Sequence, residues 1–129
     1  MYKQISIISF VILICSCNIS ENDMYGTYTS KNLINNIDTL RILNNGSYSR
    51  DLYSKIDNSL VYHNTGKWDY KNGRIILHDF LLDEDNIYSK EAGSFENVLI
   101  TSNLIVKKKS GKIIIYYRQL TDFSYYEKQ

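Results

Sequence analysis

Apolar and polar residues alternate along most of this chain, and short turn sequences break the alternation at near-regular intervals. In Thr39-Leu40-Arg41-Ile42-Leu43, Leu40 and Ile42 fall on one face, with Thr39 and Arg41 on the other. A period of two marks a strand with one buried face. Asn44-Asn45-Gly46 and Ser47-Tyr48-Ser49-Arg50 follow. Asn-Gly between two such runs predicts a hairpin, because both turn positions accept positive φ. Asn72-Gly73 repeats the device between Gly66-Lys67-Trp68-Asp69-Tyr70 and Arg74-Ile75-Ile76-Leu77-His78, and Ser110-Gly111 repeats it ahead of Lys112. Gly66, Trp68 and Tyr70 share an inward face, as do Ile113, Ile115 and Tyr117. Strands are expected at about 25–30, 38–44, 47–56, 59–63, 65–71, 74–80, 96–101, 103–109 and 112–118, with a further one at 123–127. An open sheet of so many short strands leaves two bare edges. The expected fold is therefore all-β, an antiparallel up-and-down meander of about 8–10 strands closing into a small barrel.

The first seventeen residues break this pattern. Met1 to Gln4 carries one positive charge, and Ile5 to Ile14 is a mostly apolar stretch interrupted by Ser6 and Ser9. That run is too short to span a bilayer, which takes about 20 residues, and it has the layout of a secretory signal. Ile14-Cys15-Ser16-Cys17 then resembles the lipobox of bacterial lipoproteins: an aliphatic residue, a variable one, a small one and the acylated cysteine. The resemblance implies a signal peptide over 1–16, a lipid on Cys17 and membrane attachment through it. Cys15 is the poorer acceptor, because Ile14 is too bulky for the small position before it. Several acyl chains anchor stably where one binds only marginally. The same reading accounts for both cysteines of the chain, and no disulfide is left to form. Asn18 stands where an Asp would argue for inner-membrane retention, so the outer membrane of the cell envelope is the expected address. Residues 17–24 read as the acylated cysteine and a polar tether, and 25–129 as one domain.

Composition adds bounds rather than chemistry. The chain has 129 residues, no proline and 12 tyrosines, and 43% of its residues are apolar, enough for a real core. Loss of Lys3 with the signal leaves 14 basic against 14 acidic residues. A neutral chain offers no overall electrostatic case for nucleic acid or for anionic lipid headgroups. A monomer is expected.

Gly26-Thr27-Tyr28, the hairpin TLRILNNGSYS and GKWDYKNGRIIL together resemble the lipocalin-like domains of small Bacteroidota lipoproteins, over roughly residues 25 to 80. The resemblance implies a barrel, and in it a site for a small apolar or amphipathic ligand. Copper-handling relatives of that kind carry a Cys-x-x-Cys, and this chain has no cysteine after Cys17. Rings lining a barrel mouth can grip a lipid or an aromatic metabolite, which makes Tyr28, Trp68, Tyr70 and Ile115 the candidate ligand-binding residues. The alternative is that these residues simply fill the barrel. An eight-stranded barrel is only just wide enough to be filled by side chains or to hold one small ligand. The protein would then be a structural or interaction module that meets another envelope protein.

Nothing in the chain assembles a catalytic constellation, so no enzyme and no cofactor is expected. His63 and His78 are the two histidines, on separate expected strands, and read as ordinary strand residues rather than metal ligands. Asp83-Glu84-Asp85-Asn86 lacks the glycine of a tight calcium loop and reads as a solvated connection within the long loop Leu82 to Ser94. Lys107-Lys108-Lys109 with Lys112 straddles a hairpin turn and reads as a soluble tip, although such a turn could also touch phosphates or headgroups.

Overall fold

A computed structural model describes residues 18–81, 99–117 and 124–129. A 3₁₀ turn, Glu21–Met24, leads into eight strands: β1 (Gly26–Lys31), β2 (Asn36–Ile42), β3 (Ser47–Ser54), β4 (Leu60–Lys71), β5 (Arg74–Phe80), β6 (Ile100–Lys109), β7 (Lys112–Tyr116) and β8 (Tyr125–Lys128). Each strand pairs antiparallel with its neighbour in sequence, and β8 pairs with β1. Closure leaves no sheet edge. The up-and-down barrel expected from the alternation is the fold.

The strand count settles at eight because two expected breaks are absent. The stretches 59–63 and 65–71 are one strand, β4, and the stretch from Ile100 to Lys109 is continuous as β6. Gly66 lies inside β4, just past the expected break, and its φ is not positive, so no turn forms there. Its missing side chain serves a close approach instead. A Cβ at Gly66 would lie 2.4 Å from the His78 carbonyl oxygen and 2.6 Å from the Tyr48 ring. The expected turns do form. Asn72 and Gly73 have φ of 53° and 71°, and Ser110 and Gly111 have 51° and 80°, the paired positive values that a two-residue hairpin needs. Asp79, at φ 56°, marks an irregularity where β5 slips register against β6 between Leu77 and Phe80.

The three tight hairpins, β2–β3, β4–β5 and β6–β7, all lie at one end of the barrel together with the 3₁₀ turn. Met24, at the end of that turn, is fully buried in the main core. Ser20 holds the turn by donating from its backbone and its hydroxyl to Asp23 Oδ2, at 2.7 and 2.8 Å. These bonds keep the Asp23 carboxyl below its ordinary range. Much of the segment read as a polar tether is thus folded against the barrel, as the plug of its closed end. Its composition is polar because most of the plug faces water, with only Ile19 and Met24 turned to the core. The other connections, 32–35 and 55–59 among them, lie at the opposite rim.

Candidate functional site

The four residues expected to line a ligand site do come together. Tyr28, Trp68 and Ile115 belong to one buried cluster, with Tyr70 packed against it. Their polar tips are already bonded within the chain. Tyr28 Oη donates to the Met24 carbonyl at 2.8 Å, Trp68 Nε1 to the Leu43 carbonyl at 2.9 Å, and Tyr70 Oη to the Ile19 carbonyl at 3.0 Å. All three acceptors belong to segments that cross the closed end. Tyr25 adds an edge-to-face contact with Trp68, centroids 5.7 Å apart.

Above this aromatic layer lies a cluster that the alternation places inside but that was not singled out from the sequence. Asp38 precedes Leu40 by two positions on β2, and Arg50 follows Tyr48 by two on β3, so both share the phase of the inward apolar residues. Both side chains are wholly buried. Arg50 Nε donates to both Asp38 oxygens at 3.1 Å, and Nη2 donates to Oδ2 at 2.7 Å. Tyr126 Oη donates to the same Oδ2 at 2.5 Å, which ties β8 to β2 across the lumen. Arg50 Nη1 donates to the Leu81 carbonyl, and the guanidinium carbon sits 4.3 Å from the Phe80 ring centroid. The cluster therefore spans β2, β3, β5 and β8. Next to it Tyr48 Oη donates to the His78 and Asp79 carbonyls at 2.7 and 3.1 Å, over the space that Gly66 leaves free. Ser102 Oγ is buried with no hydrogen-bond partner among the described residues.

Burial pushes the hydroxyls of Tyr28 and Tyr48 well above the ordinary tyrosine value, and those of Tyr62 and Tyr70 in the same direction. A group whose native pKa is raised contributes stability that is complete below its unfolded value, about 10 for tyrosine, and lost as the pH climbs beyond it. A spectrophotometric titration run in parallel with circular dichroism checks this. Tyr28 and Tyr48 should ionise only together with loss of the strand signal in circular dichroism. Complete ionisation of all tyrosines with the strand signal intact would contradict their placement.

The outer face carries ordinary cross-strand pairs of polar side chains. His63 Nδ1 lies 2.6 Å from Asp51 Oδ1, Arg41 Nη1 donates to Asp51 Oδ2 at 2.5 Å, and His78 Nε2 lies 3.0 Å from Asp69 Oδ2. Burial pushes the Asp51 carboxyl up, but the bonds from His63 and Arg41 outweigh it and hold the group below its ordinary value. Each histidine has its own carboxylate on a neighbouring strand. Among the described residues no group of three His, Cys, Asp or Glu side chains is placed to hold a metal ion. Cys17, the acidic run 83–86 and the rest of loop 82–94 lie outside the described residues.

Large apolar side chains are exposed mainly at the rim opposite the plug. Ile34 and Ile56 are 78% and 92% exposed, on the two loops that Lys55 joins by donating its backbone N–H to the Asn35 carbonyl at 3.0 Å. Ile37, Tyr53 and Leu60 continue the patch as a cross-strand row on the outside of β2, β3 and β4. Comparisons with protein families, curated proteins and solved structures return no match. The class of the protein is therefore given by its fold, a closed eight-stranded antiparallel barrel consistent with the lipocalin-like kind.

Proposed function

We propose that this protein is a lipid-anchored component of a bacterial cell envelope whose barrel is filled by its own side chains and works as a non-enzymatic interaction module. The observation that carries the reading is the Asp38–Arg50–Tyr126 cluster, which lies across the lumen just above an aromatic layer whose polar tips are spent on the closed end. A carrier for a small apolar ligand would need that space for its cargo, and an ion pair is a poor wall for an apolar guest. The exposed apolar rim around Ile34 and Ile56 supports contact with another envelope protein, since isoleucines grouped at one end of a barrel mark an interaction surface better than scattered ones. The lipobox-like residues ending at Cys17 supply the anchor in this reading.

Native mass spectrometry of the mature chain, extracted gently from its host's envelope, tests both parts. The expected spectrum shows the mass of an acylated Cys17 terminus and no further adduct. A discrete small-molecule adduct lost on denaturation would replace the filled module with a carrier, and an unmodified Cys17 would remove the anchor.

A further inference from the structure

The closed end carries a second surface, built where the chain leaves the barrel. Asn18 and Ile19 line one depression with Lys108, Lys112 and Lys128, and a neighbouring depression with Tyr70, Lys107 and the Asn72-Gly73 turn. Lys107, Lys108 and Lys109 are exposed, and none has an ion-pair partner among the described residues. The acidic groups at this end are largely engaged. Glu127 accepts from Lys112 at 2.8 Å, while the Asp23 carboxylate, bonded to Ser20, keeps its charge toward Lys108 and Lys128, and Glu21 is exposed. Leu43, at the β2–β3 turn of the same end, exposes 41% of its surface. A chain that is neutral from Asn18 onward thus places unpaired cations, and an apolar side chain, at the end from which its N-terminal segment departs.

We infer that the closed end is a membrane-docking surface, with Lys107, Lys108 and Lys109 set against the phosphates of anionic lipids and the isoleucine rim turned away from the bilayer. The inference rests on the lipid-anchor reading for its setting. Cys17 adjoins Asn18, and one residue spans at most about 3.8 Å, so acyl chains on Cys17 bring this end, and no other, within reach of the headgroups. The Tyr70 bond to Ile19 and the buried Met24 keep the exit point from swinging away on a flexible tether. A lysine close to an anionic surface strengthens binding about fivefold, and the effect dies off within a Debye length of about 10 Å. Three lysines on one hairpin act together where a single one would be marginal.

The test uses the chain from Asn18 onward, which contains the plug and all eight strands of the closed barrel, so acylation plays no part in it. Sedimentation with vesicles of phosphatidylcholine alone is compared with vesicles that also contain phosphatidylglycerol. The expected result is salt-sensitive binding to the anionic vesicles only. Replacing all three exposed lysines (Lys107→Gln, Lys108→Gln, Lys109→Gln) should weaken it about a hundredfold, three steps of about fivefold. Lys31→Gln at the opposite rim should leave it unchanged. Absence of binding, equal binding to both vesicle types, or full binding by the triple variant overturns the proposal. The acyl mass on Cys17 is read separately on host-derived protein, so a failed anchor and a failed docking surface give different results.

Discussion

Arg50→Met should lower the unfolding free energy by about 3–5 kcal/mol, the range for breaking a buried ion pair by removing one partner. The cost comes less from the lost attraction than from what is left behind. Asp38 would keep a carboxylate with no exposed surface, and only Tyr126 would still donate to it among the groups described. The Leu81 carbonyl would also lose its guanidinium donor. Asp38→Asn should cost less, because an amide leaves Arg50 without its counter-charge but still offers an acceptor. The double variant Asp38→Leu/Arg50→Met should recover most of the loss, since apolar groups of similar volume often replace a buried pair without penalty. Urea denaturation followed by circular dichroism measures all three. A single Arg50→Met variant within about 0.5 kcal/mol of the parent, the scatter of ordinary surface changes, would mean that this charge is not buried and that the lumen is not closed by it. Stability and the proposed function meet at this one cluster, because the feature that would exclude a guest is also the one that links four strands.

The barrel was legible in the sequence because its evidence is local. Asn72-Gly73 and Ser110-Gly111 are turns wherever alternating runs flank them, and Leu40, Ile42, Ile113 and Ile115 show their inward phase within a few residues. What was misread depends on partners far along the chain. The break expected between 63 and 65 is absent, and what Gly66 does there, giving space to Tyr48 from another strand, shows only in the fold. Asp38 and Arg50 drew no notice in the sequence, although register sets Leu40 opposite Arg50 and Asp38 opposite Leu52, one step apart on the same inner face. Their phase was visible, but a buried charge is credible only once its counter-charge is known. The plug was hidden for a similar reason. Asn18 to Asp23 reads as a polar tether, and only Met24 and the reach of Tyr70 to Ile19 show that the segment is part of the domain.

Trp68→Ala should cost about 3–5 kcal/mol, the range for truncating a large buried aromatic, and should do so at the closed end specifically. The indole is 4% exposed, meets Tyr25 edge-on at 5.7 Å, and ties the β2–β3 turn down through the Leu43 carbonyl. Removing it opens a void beneath that turn and leaves the carbonyl to water. Trp68→Phe should cost less, since it keeps most of the apolar volume and gives up only the N–H donor. Because Trp68 is the one tryptophan of the chain, its fluorescence in the parent protein reports on this layer alone. If plug and barrel form one cooperative unit, the fluorescence and circular-dichroism midpoints in urea coincide. An emission change at lower urea than the loss of strand signal would show that the closed end opens by itself. The aromatic layer would then be a door rather than a floor, and a ligand entering from the closed end would regain its claim on Tyr28, Trp68, Tyr70 and Ile115. Coincident midpoints leave those residues as the floor on which the Asp38–Arg50 cluster rests.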